Sequence, residues 1–160
     1  MLIPEINFCT TEDLQALVFM EEHCFPDSPW SFRILLRDLE ASSREAFFYL
    51  GAFWKGFLVG YAVFRPRNGE LALLRIGVLR RYRRQKIGAQ LLEAGELLAA
   101  EIPLPSLSLE VHQKNGEARS FYESMGYVLD GISSRNAAHT ATPPLVYRKD
   151  LSKNLRDYLR

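Results

Sequence analysis

The chain has 160 residues, of which 48% are hydrophobic, and this is enough for one domain with a sizeable core. Its formal net charge is +1, so no overall field draws the protein towards nucleic acid or a membrane surface. There is no apolar run of membrane-spanning length, no signal-peptide pattern and no cysteine arrangement typical of disulfides or metals, so we expect a cytosolic enzyme or binding domain without a metal.

The N-terminal quarter of the chain predicts a short strand and two helices. Residues 3–8 read as a strand, and Thr10 or Thr11 is suited to cap a helix that runs to about Cys24. Two prolines interrupt the helical pattern, and Ser31 is placed to cap a second helix over about residues 32–41. We expect Trp30 to anchor core packing between these helices, with a role in a substrate cleft as the alternative.

The centre of the chain predicts three antiparallel strands. Residues 46–54 and 57–65 are apolar and aromatic-rich, and Lys55-Gly56 between them is typical of a hairpin turn. A second turn signal over residues 66–69 leads into an apolar strand over residues 71–78.

The C-terminal half alternates between helices and strands. The pattern predicts helices over residues 87–101 and 115–125, strands over residues 106–111, 127–130 and 145–151, and a polar tail over residues 152–160. This order indicates a mixed α/β domain that spans residues 1–151.

A basic turn joins the strand over residues 71–78 to the helix over residues 87–101. Five of the seven residues from 80 to 86 are Arg or Lys. The free amides and positive dipole at a helix N-terminus bind anions, whereas basic side chains there oppose the dipole. We therefore expect an anion in front of this turn, with a solvated face or an RNA-binding patch as the alternative.

The same turn carries a recognisable motif. Arg83-x-x-Lys86-x-Gly88, preceded by Ile76-Gly77-Val78, resembles the acyl-CoA signature of the GNAT N-acetyltransferases. Lys86 replaces the first motif glycine, which would be tolerated if Lys86 were the first residue of the helix. The resemblance implies that acetyl-CoA is the cosubstrate and is bound by residues of the strand and the turn, namely Ile76, Gly77, Val78, Arg83, Arg84, Gln85, Lys86, Ile87, Gly88 and Ala89.

Acetyl transfer to an amine needs a base for the amine, donors for the oxyanion and an acid for the departing thiolate. Glu110 lies between Leu109 and Val111 in a predicted strand, and a carboxylate half-buried on a sheet would suit a base. From the residues alone, however, we favour a carboxylate that faces solvent or pairs with an arginine. His112, expected on the same strand face, is a second candidate base.

Residues 109–115 and 120–127 resemble the RimI-like ribosomal-protein alanine N-acetyltransferases within that family. The resemblance implies that Glu110 is the general base, that Tyr122 is the acid that protonates the thiolate, and that Asn115 contacts the coenzyme. A core aromatic role for Tyr122 fits its spacing equally well. The resemblance also implies the GNAT fold, a mixed and mostly antiparallel sheet of about seven strands with about four helices.

The resemblance further implies direct acetyl transfer in the cytoplasm to an amine, in the first place the α-amino group of a protein such as a ribosomal protein. Two tyrosines of that family correspond to Ala137 and Ala138 here, and His139 follows them. A small amine, a polyamine or an antibiotic therefore stays open as acceptor. A non-catalytic acyl-CoA sensor or polyanion-binding module is the other alternative, and a monomer and a dimer are both open.

Overall fold

The structure is a computed structural model that describes residues 1–40, 46–135 and 141–153. The strands within these residues are β1 (Glu5–Phe8), β2 (Phe48–Trp54), β3 (Phe57–Arg67), β4 (Glu70–Val78), β5 (Ser106–Val111), β6 (Val128–Ile132) and β7 (Leu145–Asp150). The α-helices are α1 (Leu14–Cys24), α2 (Phe32–Leu39), α3 (Ile87–Glu101) and α4 (Gly116–Ser124).

All seven strands form one sheet in the order β1-β2-β3-β4-β5-β7-β6. Only β4 and β5 are parallel, because α3 crosses between them, and every other pair of neighbours is antiparallel. The predicted fold, a mostly antiparallel sheet of about seven strands with about four helices, is thereby confirmed.

Two tight turns join β2, β3 and β4. Lys55 and Gly56 have φ values of 50° and 81°, and Asn68 and Gly69 have values of 54° and 77°. Two successive residues with positive φ are typical of the hairpin turns that match the twist of the flanking strands. The hairpins are as predicted, but β3 extends two residues further, to Arg67. Pro66 is accommodated because the pairing of β3 with β2 has already ended at Phe64.

The helices cover the sheet on both faces and form two cores. One core packs α3 and Tyr122 of α4 against alternate residues of β2 to β5 and β7. The other packs α1 and α2 against β2, β3 and Leu74 of β4. The second core contains no residue of β5, β6 or β7, so within the described residues no helix packs on that face of these three strands.

Several local predictions are confirmed with small shifts. Thr10 caps a short 3-10 turn that leads into α1, and Ser31 caps α2 by accepting the Ile34 N–H at 3.3 Å. Cys9 is buried and Cys24 half-buried, and both are free thiols. Of the predicted polar tail, Ser152 and Lys153 are helical, and residues 154–160 lie outside the described part.

Candidate active site

A gap opens between the two parallel strands at the centre of the sheet. The ladder between β4 and β5 contains only the pairs Leu71↔Leu107, Ala72↔Ser108 and Leu73↔Leu109. Leu74 is then an extra residue in β4, because Val63 and Phe64 of β3 pair with Arg75 and Leu73. Such a bulge bends its strand.

Beyond the bulge, β4 pairs with β3 alone and β5 pairs with β7 alone. The backbone groups of β4 that face the gap therefore have no strand partner and are available to a ligand. Ile76, Gly77 and Val78, which the sequence predicted to line the coenzyme, form this edge of the gap. Glu110 lies on β5, at the opposite edge of the gap.

The basic turn that follows β4 has a backbone suited to anion binding. Arg84 and Lys86 both adopt left-handed conformations, with φ values of 62° and 61°, immediately before α3. Left-handed residues next to ordinary ones form a concave nest of N–H groups, and here the nest faces the positive end of a 15-residue helix. The first turn of α3 carries no acidic residue. These features fit a phosphate group.

We expected a lysine to be tolerated at the motif glycine position if Lys86 were the first residue of α3. The structure shows that Lys86 precedes the first residue of this helix. It is the N-cap, with a positive φ and no capping hydrogen bond from its side chain. A left-handed conformation costs a residue with a Cβ roughly 1–2 kcal/mol, which glycine avoids. The motif position does therefore demand the conformation that favours glycine.

Other residues of the motif have separate contacts. The exposed Arg83 donates from Nε to the Val78 carbonyl at 2.9 Å and so ties the turn to the end of β4. Gly88 faces Phe121 of α4, and a Cβ at this position would lie 3.6 Å from the ring, an ordinary contact. Gly88 is thus not required by sterics within the protein itself.

Glu110 is exposed, as the solvent-facing interpretation predicted, and it is not half-buried. Leu107, Leu109 and Val111 belong to the core under α3, so Glu110 points to the opposite face, where no described helix covers β5. Its Oε1 atom accepts a hydrogen bond of 2.6 Å from the hydroxyl of the buried Ser133.

Glu110 borders a polar cleft of about 290 Å³ on the face of the sheet that the helices leave open. The cleft is lined by residues of the β3–β4 turn, the strands β5, β6 and β7, and the segment after β6, namely Arg67, Asn68, Glu70, Ser108, Leu109, Glu110, Asp130, Ile132, Ser133, Ser134, Arg135, Val146 and Arg148. Arg148 pairs with Glu70 at 2.9 Å and also with Asp130.

Tyr122 approaches the sheet from the face opposite to that of Glu110. It is buried in the core under α3, where its ring packs against Phe121 and Tyr127 with centroid distances of 5.2 and 6.1 Å. Burial raises the pKa of Tyr122 to about 12. Because of this raised pKa, the hydroxyl keeps its proton at neutral pH. No described residue forms a hydrogen bond with the hydroxyl, so its proton can be donated to a ligand.

Two further predicted residues lie at the end of β5. Asn115 caps α4, and its Oδ1 atom accepts the Ala118 N–H at 3.2 Å, so the amide nitrogen is the part that remains for a ligand. His112 lies after the last residue of β5, and its Nδ1 atom accepts the Lys114 N–H at 3.2 Å. Of the predicted acceptor loop, Ala137, Ala138 and His139 lie outside the described residues.

A buried charge network that was not predicted from the sequence lies next to the gap. Glu21 of α1 accepts hydrogen bonds from the Tyr61 hydroxyl at 2.9 Å and from the Arg75 guanidinium at 2.7 Å. The guanidinium of Arg75 lies 4.1 Å from the ring centroid of Phe25 and 4.2 Å from that of Trp30. The sequence feature that could have indicated this network is a charged residue inside each of two apolar segments, namely Glu21 in α1 and Arg75 in β4.

This network fixes the segment between α1 and α2 to the unpaired half of β4. Arg75 also donates to the Ser28 carbonyl at 3.2 Å, and the Trp30 N–H donates to Glu21 at 3.2 Å. Trp30 packs against the core under α1 and α2, as predicted. The segment forms a wall on the same face of the sheet as Glu110.

Within the described residues, no set of three His, Cys, Asp or Glu side chains is grouped as a metal site would require. Among the described helices, none combines the length and apolar character that crossing a bilayer requires.

Several solved structures share this fold. The ribosomal-protein-S18-alanine N-acetyltransferase from Escherichia coli superposes with a TM-score of 0.78 at 24% identity, over 94% of this chain and 95% of that one. The PaiA N-acetyltransferase from Thermoplasma acidophilum, solved in complex with coenzyme A, gives 0.73 at 20% identity, over 93% and 99%. Ard1 from Thermoplasma volcanium gives 0.74 at 21% identity, over 93% and 98%.

No curated protein matches the sequence. The model of the acetyltransferase (GNAT) family, however, matches residues 14–127, which include α1, the bulged strand β4, the basic turn and Tyr122. The chain therefore belongs to the GNAT acetyltransferase family.

Proposed function

We propose that this acetyltransferase moves the acetyl group of acetyl-CoA to the α-amino group of a protein N-terminus. The observation that carries the proposal is the gap between β4 and β5, with Glu110 on one edge and free backbone groups on the other. Acetyl-CoA supplies the activated acetyl group. We take residues 1–151 as the catalytic domain and the cytoplasm as its place of action.

The residues along the gap and the basic turn suit the coenzyme. The left-handed nest at Arg84 and Lys86 would hold the diphosphate, with Gln85, Ile87, Gly88 and Ala89 contributing the neighbouring amides. Ile76, Gly77 and Val78 would pair with the pantetheine arm through their free backbone groups, in the manner of an added strand. Arg83 would steady the turn, and the Asn115 amide would contact the coenzyme from α4.

Glu110 and Tyr122 would carry the two proton transfers. Glu110 takes the proton from the acceptor amine, directly or through one water, because only the neutral amine has a lone pair to attack with. Tyr122 keeps its proton at neutral pH and, as the carbon–sulfur bond breaks, donates that proton to the departing thiolate from the other face of the sheet. Backbone N–H groups of β4 stabilise the negative charge on the thioester oxygen.

The shape of the acceptor side supports a macromolecular acceptor. The cleft beside Glu110 lies on a part of the sheet that no described helix covers, and it continues to the edge strand β6. Val128 and Ile132 of β6 are 67% and 61% exposed, so an extended peptide would find apolar contacts there. The Escherichia coli protein of the same fold is a ribosomal-protein alanine N-acetyltransferase, which makes a ribosomal protein one natural candidate.

Steady-state kinetics on the Glu110→Gln variant test the catalytic part of this proposal. We expect kcat to fall roughly 10²- to 10⁴-fold, as for loss of a general base. The loss is largest at low pH, where the amine is most fully protonated, and acetyl-CoA affinity barely changes. Glu101→Gln, a change at an exposed residue of α3, serves as the control. Wild-type turnover in Glu110→Gln would remove Glu110 from the mechanism.

A screen of acceptors tests the substrate class. Peptides with free N-termini, the same peptides with blocked N-termini, polyamines and aminoglycosides are compared at equal concentration. We expect acetylation of the free peptides alone. Preferential acetylation of the polyamine or aminoglycoside would replace the protein acceptor, and calorimetry that showed RNA binding without acetyl-CoA binding would favour a polyanion-binding module.

A further inference from the structure

We infer that Ser133 is a positioning residue that orients the Glu110 carboxylate towards the acceptor amine. This inference rests on the proposed function, since it takes Glu110 as the base. Ser133 follows β6 directly and is 3% exposed, whereas Glu110, to which it donates, is exposed. A fixed and buried group thus holds a carboxylate that has no packing of its own.

The surroundings of Ser133 fix the direction of its hydroxyl proton. The Arg135 N–H donates to Ser133 Oγ at 3.2 Å, so the oxygen is engaged as an acceptor and its proton is free to point at Glu110. The Ser133 N–H donates to the Pro144 carbonyl at 2.8 Å, which ties this position to the residue before β7. Backbone contacts on both sides therefore set where Oγ lies.

The contact selects one orientation of an otherwise mobile side chain. Its length of 2.6 Å is in the range of strong hydrogen bonds between a hydroxyl and a carboxylate. It engages Oε1, and no described residue forms a hydrogen bond with Oε2. Oε2 is then the atom presented to the amine, and holding it in one place saves the entropy of finding that position in every turnover.

The segment that carries Ser133 also lines the acceptor cleft, since Ser134 and Arg135 follow it there. A displacement of this segment by the acceptor would move Ser133 and, through it, Glu110. The structure thus connects the wall of the acceptor cleft to the group that takes the proton.

The test compares Ser133→Ala with Ser124→Ala, an alanine change at an exposed serine of α4 that lies outside the cleft. For Ser133→Ala we expect kcat to fall about tenfold with little change in KM for acetyl-CoA, a loss typical of one hydrogen bond to a charged group. Ser124→Ala stays within about twofold of the wild type.

A double-mutant cycle separates this inference from the proposed function. If Ser133 acts through Glu110, Ser133→Ala causes no further loss of kcat in the Glu110→Gln background. An equal loss in both backgrounds overturns the inference. If the Glu110→Gln variant turns over slowly while the kcat of Ser133→Ala is unchanged, only the inference about Ser133 is overturned. If Glu110→Gln turns over at the wild-type rate, the assignment of Glu110 as the base, on which the inference rests, is overturned.

A second variant guards against loss of folding. Ser133→Cys keeps the size of the side chain but has a weaker donor, so its kcat should lie between those of the wild type and the alanine variant. Urea unfolding is measured for all variants. A fall in the unfolding midpoint of Ser133→Ala, together with an equal loss of kcat in the wild-type and Glu110→Gln backgrounds, would show that Ser133 merely stabilises the fold, and would overturn the inference.

Discussion

The two halves of β4 differ in how many neighbours they have. From Leu71 to Leu73 the strand pairs with both β3 and β5, whereas beyond Leu74 it pairs with β3 alone. The first half closes the sheet, and the second half leaves backbone groups free along a gap. One bulged residue therefore separates a half that holds the fold together from a half that is available for binding.

The two halves also carry different ion pairs. Arg148 pairs with Glu70 at the closed half and its side chain is 36% exposed, so water screens the interaction. Arg75 pairs with Glu21 at the open half, where the two side chains are only 12% and 1% exposed. The open half thus depends more on buried polar contacts, since it lacks the second strand partner.

The largest expected effect is on the ion pair at the open half. Arg75→Met should lower the free energy of unfolding by about 3–5 kcal/mol, because it leaves Glu21 buried without its charged partner. Arg148→Met, the matched change at the closed half, should cost about 1 kcal/mol or less. Urea unfolding of both variants measures the difference. Equal losses would show that the two ion pairs do not differ in burial as described.

The next effect concerns the packing of the closed half. Phe64 pairs with Leu73 there, and a Cβ on Gly95 of α3 would lie 2.2 Å from the Phe64 ring. Gly95→Ala should therefore destabilise the fold by about 1–3 kcal/mol in spite of the better helix propensity of alanine.

Gly116→Ala in α4 is the control for that change, since a Cβ there meets no atom within 4 Å. It should be neutral or slightly stabilising in thermal unfolding. A stabilised Gly95→Ala variant would contradict the close contact between α3 and β3.

A smaller effect is expected in the turn that follows the open half. Lys86→Gly should stabilise the unliganded protein by about 1 kcal/mol, because glycine adopts the left-handed conformation without strain. It should also weaken acetyl-CoA binding roughly three- to tenfold in calorimetry through loss of one positive charge beside the diphosphate.

Lys55→Gly provides the matched control for Lys86→Gly. Lys55 is also an exposed lysine with a positive φ, of 50°, but it lies in the β2–β3 hairpin. It should give a similar gain in stability with unchanged coenzyme affinity. Weaker coenzyme binding in both glycine variants would mean that the charge of Lys86 has no special part.

The smallest effect is a difference in reactivity that leaves stability unchanged. Cys24 packs against the open half of β4. A Cβ added to Gly77 would lie 3.1 Å from the Cβ atom of Cys24. Burial raises the pKa of both thiols, that of Cys9 to about 12, while nearby Arg83 opposes the rise at Cys24. Iodoacetamide should therefore label Cys24 first, because the thiolate reacts.

Mass spectrometry after brief alkylation measures this preference, and Cys24→Ala is the control. The labelling of Cys24 should slow when acetyl-CoA is present, since Gly77 borders the proposed pantetheine site. Faster labelling of Cys9 would contradict the burial of that thiol.

The elements and their order could be read from the sequence because they depend on local pattern. The Lys55-Gly56 and Asn68-Gly69 turns, the Ser31 cap and the apolar stripe of α3 are each decided within a few residues. The left-handed conformation of Lys86 could not be read in this way, because lysine has no preference for it. Closure of the turn between β4 and α3 imposes that conformation.

The candidate site could be predicted only in part, because only some of its residues belong to local sequence motifs. Motif spacing identified Ile76, Gly77, Val78, Glu110 and Tyr122 as candidates, and the first four lie on the two strands that border the gap, whereas Tyr122 lies in the core under α3. The roles of all five stay predictions. Glu110 is exposed because its apolar sequence neighbours, Leu109 and Val111, face the other side of β5. Ser133 was missed because it meets Glu110 across 23 residues of sequence.

The sequence by itself determined the strands, the helices, the tight turns and the basic composition of the segment before α3, since each depends on residues that are close along the chain. Only the tertiary structure decided where β4 leaves β5, which face of the sheet stays uncovered, and that Glu21 meets Arg75 and Ser133 meets Glu110. These contacts join residues that are far apart in the sequence, and they follow from how the whole sheet twists and packs rather than from any local preference.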